Sequence, residues 1–360
     1  MLYLGTSFAD ATLYGNIDQT YNTTKTTKAG VVTNQQTNIS AYQMGQSFLG
    51  VKGEEDLGGG LKASYLYEFG LATDTNVSES EQDDADGSTK TGYNLSSSNR
   101  QSFVGLSGGF GAVRIGKQYS QAFMNSLAAD PGGATGGRGA LYLFGLVSYN
   151  LTKDNPLRQD KSIQYDLPNF VPGLKLGITK VFGNSNSAPS NTTSANETNG
   201  VKVGDGTGFN ASYSSGGLYA GFTTDSAKGK NLLPEFGLYT AQPTDTHKLT
   251  TLALSYDLGM AKPSYQNTKI SVGTTTWKTD MFAVSVPLGA ATAFISISNG
   301  KMDLAVDTKD FKAKGMQYGV NYALSKRTVA YWHGGNDTLT DNAGVATKTT
   351  GFGLGVHHSF

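Results

Sequence analysis

Several features that most proteins use are missing from this chain of 360 residues. It has no cysteine, which excludes a disulfide framework and any thiolate metal site. Charged residues make up 16% of the chain, against about 25% in soluble domains, and acidic and basic residues number 28 each. Basic residues form no block and do not interleave with aromatic ones, so nothing suggests a nucleic-acid partner. No apolar run approaches the ~18 residues of a membrane-spanning helix.

Glycine and aromatic residues are plentiful, and they occur in segments that alternate between apolar and polar. The chain has 47 glycines, 19 tyrosines and 17 phenylalanines. In residues 61–69 the apolar positions are Leu61, Ala63, Tyr65, Tyr67 and Phe69. The polar positions between them include Lys62, Ser64 and Glu68, and the final segment GFGLGVHHSF shows the same period of two. Such alternation predicts β-strands with one apolar face and one polar face. The polar face is too polar to be part of a protein core.

Short and long connections between these segments alternate along the chain. The short ones are rich in turn residues and cover residues 54–60, 108–111, 168–173, 214–217, 258–263, 287–290 and 324–327. The long ones are polar and cover residues 22–42, 73–98, 119–159, 183–206, 225–246, 299–310 and 334–348, with a shorter one at 271–276. This asymmetry is typical of an outer-membrane barrel. We therefore expect an all-β, transmembrane, antiparallel up-and-down β-barrel of 16 strands.

The ends of such a sheet must meet. Each unpaired backbone group costs several kcal/mol in hydrocarbon, so a sheet of this size cannot keep open edges there. We expect the first strand, residues 12–21, to pair with the last, and Phe360 to lie at the membrane interface. A soluble β-sandwich or propeller also alternates, but it would need both sheet faces to share a protein core and short connections at both ends.

The first residues are expected to lie outside the fold. Ser7-Phe8-Ala9 resembles the small-x-small end of a secretory signal. No basic segment precedes it, and its apolar part is short. We interpret residues 1–9 as a truncated signal or as residues added by cloning, and residues 10–360 as one barrel domain.

Five segments carry a more specific signal. They are residues 47–70 (SFLGVKGEEDLGGGLKASYLYEFG), 99–120 (NRQSFVGLSGGFGAVRIGKQYS), 161–180 (KSIQYDLPNFVPGLKLGITK), 322–328 (YALSKRT) and 353–360 (GLGVHHSF). In this order they resemble the general diffusion porins of Gram-negative outer membranes, of the type found in β-proteobacteria and Neisseria. The resemblance implies a homotrimer with one pore per subunit and a third extracellular loop folded into the lumen. It also implies that the barrel-assembly machinery reads the final strand, which ends in Phe360.

The inward-folded loop maps to residues 119–159. At ~40 residues it is too long for a hairpin connection, and long loops of this kind are usually functional or disordered. Its middle, residues 141–147, is largely apolar, and glycines between positions 132 and 139 permit sharp bends. The alternative is an external loop packed on a neighbouring subunit of the trimer.

Charged residues on the strand faces and in this loop are the candidates for a pore constriction. They are Lys52, Lys62, Arg100, Arg114, Lys117, Asp130, Asp154, Arg158 and Asp160. The strand phase of Arg100 fits less cleanly, because Val104 and Leu106 share its face. Lys117 falls on the outward phase of its strand unless a bulge shifts it, although the resemblance implies a channel-facing base there.

Basic residues outnumber acidic ones in this set, so we expect a water-filled channel for passive diffusion of small hydrophilic solutes and ions, with a mild anion preference. One alternative is a substrate-specific porin with a binding site for a particular small anion or sugar. Another is a barrel that serves adhesion or structure. The sequence has no nucleophile-elbow motif and no dinucleotide-binding glycine pattern, so we do not expect an enzyme. The expected partners are outer-membrane lipid, lipopolysaccharide and the solutes.

An acidic run lies in the second long loop and consists of Glu79, Glu81, Asp83, Asp84 and Asp86. The simplest interpretation of this run is a solvated surface loop. A sharper hypothesis is that it binds Ca²⁺ or Mg²⁺, which prefer oxygen ligands, and bridges lipopolysaccharide phosphates or a neighbouring subunit. The four histidines predict no metal site, because His357 and His358 face opposite sides of a strand and the other two stand alone. We expect no other cofactor.

Overall fold

The structure is a computed structural model, and it describes residues 11–40, 44–71, 82–83, 89–90, 99–132, 157–183, 205–228, 246–273, 275–303 and 310–360. The described strands form one antiparallel sheet of 17 strands and a separate two-stranded hairpin, β5 with β6. The strands are β1 (Thr12–Lys28), β2 (Val31–Ser40), β3 (Phe48–Gly58), β4 (Leu61–Gly70), β5 (Gln82–Asp83), β6 (Thr89–Lys90), β7 (Asn99–Gly108), β8 (Gly111–Tyr119), β9 (Arg158–Asp166), β10 (Leu174–Val181), β11 (Gly206–Ser215), β12 (Leu218–Lys228), β13 (Thr246–Tyr256), β14 (Lys262–Val272), β15 (Thr275–Leu288), β16 (Ala291–Asp303), β17 (Phe311–Ala323), β18 (Thr328–Thr340) and β19 (Ala346–Ser359).

One helix, α1 (Gln121–Ala129), follows β8 in the described part of the chain. No helix in that part is long and apolar enough to cross a membrane.

The sheet closes on itself by pairing its first and last strands. The register between β1 and β19 runs from Asn16 opposite Ser359 to Lys28 opposite Thr347. The backbone of Gly15 exchanges two hydrogen bonds with that of Phe360, at 3.2 and 3.1 Å. β2 and β3 both pair with β1, along its two halves, so together they fill one position of the ring. The 17 strands of the sheet therefore make a barrel of 16 positions, and the predicted 16-strand barrel is confirmed.

The two faces of the barrel wall differ as the alternation predicts. On β1, Leu13 and Ile17 are 60% and 42% exposed on the outside, whereas Asp18 and Thr20 on the inside are fully covered. On β19 the outward residues are Phe352, Leu354 and Val356, and Phe360 continues the series. The apolar face has no described protein layer over it, so lipid is its natural cover.

Two of the predicted long loops are wrong in their bounds, and so is the shorter one at 271–276, because β14 continues to Val272 and β15 begins at Thr275. Most of residues 22–42 forms a hairpin in which β1 reaches Lys28, the chain turns at Ala29 and Gly30, and β2 returns from Val31. Residues 334–348 are likewise mostly strand, because β18 continues to Thr340 and β19 begins at Ala346. Nine of the ten residues of β2 are exposed. A strand that is wet on both faces needs no apolar alternation, so its threonines and asparagines looked like a loop.

The short connections are tight turns. β11 passes into β12 through Gly216 and Gly217, both at positive φ, with Ser215 directly opposite Leu218. Glycine adopts this left-handed backbone without steric cost, which is why two-residue hairpins favour it. In an outer-membrane barrel the end with short turns faces the periplasm and the end with long loops faces outward, which fixes the orientation of every strand.

Candidate pore constriction

The chain turns into the barrel interior directly after β8. The hydroxyl of Ser120 accepts a hydrogen bond from the backbone N–H of Phe123 at 3.1 Å, which caps the start of α1. From there α1 runs to the inner face of strands β12, β13 and β14. Asn125 holds it there, because its amide donates to the Thr223 hydroxyl at 2.6 Å and its carbonyl accepts from the Tyr219 hydroxyl at 2.7 Å.

The middle and end of α1 are anchored to β14. The side-chain amide of Gln266 donates to the hydroxyl of Ser126 at 2.9 Å, and the hydroxyl of Ser264 donates to the carbonyl of Ala129 at 2.6 Å. Gly132 then lies so close to Gln317 on β17 that a Cβ at this position would collide with the Gln317 side-chain amide. Residues 120–132 therefore reach across the interior to the opposite wall.

Apolar contacts reinforce these bonds at both ends of the helix. Ala122 and Phe123 pack with Leu249 of β13, and Ala129 packs with Ala253 and Met281 on the wall. Residues 133–156, including Asp154, lie outside the described residues. Inward folding of the whole segment 119–159 therefore stays a prediction.

Arg100 points into the interior because the β4–β7 ladder contains a bulge. The register shifts between Glu68 and Phe69, which releases Arg100 from the phase of Val104 and Leu106. Those two residues are 61% and 47% exposed on the outside, whereas Arg100 is only 8% exposed. The bulge therefore resolves the poor phase that the sequence showed for this strand.

The guanidinium of Arg100 is surrounded by partners. Its Nε lies 3.5 Å from the Glu68 carboxylate, and its Nη2 donates to the Tyr119 hydroxyl at 2.5 Å. Its Nη1 donates to the side chain of Gln46, and the group stacks 4.7 Å from the ring centre of Phe48. Most of its charge is therefore committed to fixed neighbours.

Glu68 is the centre of this polar cluster. Its carboxylate accepts from the Tyr14 hydroxyl at 2.8 Å and from the Gln101 amide at 3.1 Å, besides its contact with Arg100. Glu68 is 5% exposed. A buried carboxylate with two hydrogen-bond donors and a guanidinium at ion-pair distance is well satisfied, so it holds β1, β4 and β7 together at the start of α1.

Arg114 forms a second charged cluster one strand further on. Its Nη2 contacts the Asp166 carboxylate at 2.8 Å, and its Nε donates to the side-chain oxygen of Gln118 at 3.1 Å. Gln164 accepts from the same guanidinium at 3.3 Å. The side chains of Arg114 and Asp166 are 29% and 38% exposed, so this ion pair borders open space in the channel.

Two further interior cations have no carboxylate partner among the described residues. The guanidinium of Arg158 stacks over the ring of Tyr119, 5.0 Å from its centre. The ammonium of Lys52 lies 4.6 Å from the ring centre of Tyr14. Their positive charge is therefore balanced by no fixed acid in that part of the chain, unlike that of Arg100 and Arg114.

Lys117 and Asp160 do not line the interior, and their assignment to the constriction is wrong. Lys117 is opposite Ser102 on the outward phase, and its ammonium contacts the Asp160 carboxylate at 3.1 Å. The β8–β9 ladder shifts between Gly116 and Gln118. Gln118 stays inside, on the same phase as Arg114. The extra residue on β9 places Asp160 beside Lys117 and reverses the phase expected for residue 160.

Lys62 and Asp130 occupy other parts of the interior. Lys62 is on the inward face but at the start of β4, where it pairs with Glu54 at 2.6 Å. Six residues, or ~20 Å of strand, separate it from Glu68, so it lies near the periplasmic mouth. Asp130 ends α1, is 6% exposed, and accepts from the Gly132 N–H at 2.9 Å.

Three polar residues that the sequence did not single out complete the cluster. Tyr14 bonds Glu68, and the buried Gln118 and Gln164 connect Arg114 to the start of α1. Nothing in the sequence indicated the partners of these three side chains. Of the acidic run, Asp83 falls in β5, and its side chain and the other four acids lie outside the described residues.

A closed antiparallel barrel with an apolar outer face, a polar interior and a helix against its inner wall defines an outer-membrane channel protein. The chain belongs to the Gram-negative porin family, whose profile matches residues 4–343. It is therefore a channel of the outer membrane and not an enzyme.

Individual relatives cover nearly the whole chain. It is 28% identical over 381 residues to outer membrane porin protein 32 of Delftia acidovorans, which spans 98% of this chain and 94% of that protein. It is 27% identical over 359 residues to major outer membrane protein P.IB of Neisseria meningitidis serogroup A, across 98% and 95% of the two chains. The anion-selective porin from Comamonas acidovorans superposes with a TM-score of 0.71 at 25% identity, over 98% of this chain and 100% of that one.

Proposed function

We propose that this porin passes small hydrophilic solutes and ions by passive diffusion, with a mild preference for anions. The observation that carries the preference is Arg158, an interior guanidinium on Tyr119 with no acidic partner in the described chain. The similar Comamonas structure is described as anion-selective, which supports the same sign. Cations fixed beside a narrow aqueous path concentrate anions there, because the surrounding wall has a low dielectric.

The balance of nearby charges explains why the preference is mild. Arg100 faces Glu68, and Arg114 faces Asp166, so these pairs largely cancel at a distance. Arg158 and Lys52 add positive charge beside these pairs, and no described carboxylate lies at ion-pair distance from either. A reversal-potential measurement in a planar bilayer with a salt gradient tests the sign. A potential of cation-selective sign would disprove the proposal.

A binding site for one particular sugar receives little support from the described residues. Sugar-specific channels present free aromatic faces in a row along the path. Here Tyr119 packs on Phe123 with ring centres 4.9 Å apart, and Arg158 covers Tyr119 from another direction. The rings are therefore occupied by each other and by a cation. Saturable block of the current by one solute would favour the substrate-specific alternative.

We further propose that the porin works as a homotrimer in contact with lipopolysaccharide, and that the assembly machinery reads its last strand. Phe360 supports the second point, because its backbone is paired with Gly15 while its ring is 40% exposed on the outer surface. A conductance trace with three equal steps tests the trimer. Binding of Ca²⁺ or Mg²⁺ by the acidic run 79–86 stays a prediction, and calorimetry that gave no heat with Ca²⁺ would remove it.

A further inference from the structure

A row of four lysines crosses the outer surface of four neighbouring strands. Lys269 of β14 is directly opposite Lys278 of β15, Lys278 is opposite Lys301 of β16, and Lys301 is opposite Lys312 of β17. All four are exposed. We call them the lysine row. Like charges directly opposite each other destabilise a sheet, so a row of four requires a counter-charge from elsewhere.

The row faces away from the channel. Thr268 and Thr279, the residues adjacent to Lys269 and Lys278 in sequence, are 1% and 2% exposed on the inner face. Gln266 shares that inner face and bonds α1. Because side chains alternate along a strand, the lysines project outward and contribute nothing to the lining of the pore.

The position of the row along the strands places it above the hydrocarbon. Lys278 and Lys301 lie ten residues from the short-turn ends of β15 and β16, and 9–11 tilted residues span the apolar layer. Each row lysine also lies four residues beyond an outward apolar or aromatic residue, which are Tyr265, Phe282, Ile297 and Met316. At ~3.3 Å per residue and a tilt of about 45°, that is ~10 Å above the apolar side chains.

The residues between the apolar side chains and the row are polar, as expected at an interface. Asp280 is engaged there, since its carboxylate accepts from the Tyr265 hydroxyl at 2.6 Å and from the Asn267 amide at 2.8 Å. Asn299 is next to Asp280 on the adjoining strand. The row therefore lies at the depth of lipid headgroups on the outward-facing side of the membrane.

The acids near the row neutralise only part of it. Lys301 contacts Asp303 at 2.6 Å and Asp310 at 2.9 Å. Within the described ranges, no carboxylate lies at ion-pair distance from Lys269, Lys278 or Lys312. Lys314, two residues along β17, adds another exposed ammonium to the same face. Positive charge in excess thus borders the headgroup layer.

We propose that the lysine row binds the phosphate groups of an anionic glycolipid in the outer leaflet. This inference rests on the outer-membrane placement and gives the proposed lipopolysaccharide contact a defined surface. Ammonium groups bind phosphate as point charges and require no fixed geometry, which suits a lipid that exchanges laterally. Phe282 and Ile297, on the same strands and closer to the periplasm, would contact the acyl chains of the bound lipid.

The test compares lipid binding by two charge-matched triple variants. Wild-type porin, K269Q/K278Q/K312Q and the control K25Q/K326Q/K348Q are placed in zwitterionic nanodiscs. Each is titrated with a diphosphorylated glycolipid and with its dephosphorylated form, and bound lipid is counted by native mass spectrometry. The control removes the same charge from exposed lysines that lie outside the row.

Wild type and control should bind the phosphorylated lipid at least tenfold more tightly than the dephosphorylated form. The row variant should lose most of that preference, since each near-surface lysine is worth about fivefold. Equal binding by row variant and control, or no phosphate preference in wild type, would overturn the proposal. So would dissociation of the oligomer in the row variant alone, which would make the row a subunit contact.

Channel recordings on the same preparations separate this inference from the proposed function. Unchanged conductance in the row variant, together with a lost preference for the phosphorylated lipid, supports phosphate binding by the lysine row. Missing conductance in wild type would count against the diffusion channel and leave the lipid result to stand on its own.

Discussion

The Tyr331 hydroxyl of β18 donates to the fully buried Asp18 carboxylate of β1 at 2.6 Å, across the intervening last strand. The same carboxylate accepts from Thr20 at 3.1 Å and from the backbone N–H groups of Met44 and Gly45 at 3.2 Å. The contact thus joins the two ends of the chain where the barrel closes. Residues 44–47 cover it on the inner side, between β2 and β3.

Tyr331→Phe should weaken this closure. The substitution keeps the ring and removes one hydrogen bond to a buried carboxylate, which typically costs about 1.5–3 kcal/mol. We expect the folded barrel to unfold at a lower temperature, read as the shift in mobility on a detergent gel. Tyr322→Phe is the control, because Tyr322 is 50% exposed on the outside. An equal effect of the two substitutions would show that the Asp18 contact does not stabilise the closure.

Asn125→Ala should loosen α1 from the wall and leave the barrel intact. Its two bonds, to Thr223 and Tyr219, contribute about 1–3 kcal/mol together. We expect noisier single-channel currents and higher mean conductance, with an unchanged gel shift of the folded protein. Met124→Ala is the control on the same helix, since Met124 is 44% exposed. Quiet, unchanged currents in Asn125→Ala would mean that this residue does not hold α1 in place.

Phe360→Ala should impair assembly in cells more than folding in detergent. The change leaves both backbone bonds to Gly15 in place and removes a ring that is 40% exposed. We expect less porin in the outer membrane but near-normal refolding of purified protein. Phe352→Ala is matched, because it truncates a similarly exposed ring, 42%, on the same strand. If both variants reach the membrane equally, Phe360 acts by packing alone.

Arg158→Gln should reduce the anion preference more than the same change at Lys25. Arg158 lies inside, stacked on Tyr119, whereas Lys25 is exposed in the outer hairpin of β1 and β2. An unpaired charge near a partly wet ion path is worth ~0.5–1 kcal/mol, so the permeability ratio should fall roughly two- to fivefold. Arg114→Gln should also reduce the anion preference. Its effect combines two changes, because the substitution also leaves the Asp166 carboxylate without its ion-pair partner. A larger shift at Lys25 would contradict the assignment.

The alternation of residues predicted the barrel, its closure and its strand count, because a lipid-facing wall imposes a strict period of two. The prediction from alternation failed where the strands no longer face lipid. The hairpin of β1 and β2 is wet on both faces, so its residues carry no alternation. A bulge defeated it at Asp160, since one extra residue in β9 reverses the phase without leaving a mark in the sequence. At Lys117 the alternation was right, and the channel-facing side that the resemblance implied was wrong.

The interior contacts were also hidden from sequence reasoning. The sequence placed Glu68 and Arg100 inside, but not their meeting with Tyr14 and Tyr119, which lie far away along the chain. Such contacts depend on which strands adjoin and at what height. They follow only once the register of the closed sheet is known.

The reversal potential of single channels in a planar bilayer, under a tenfold salt gradient, tests the central claim most directly. The account predicts open, water-filled channels with an ohmic current and a small potential of anion-selective sign. Clear cation selectivity would contradict the charge assignment at Arg158 and Lys52. A complete absence of channels from folded, membrane-inserted protein would contradict the diffusion channel itself.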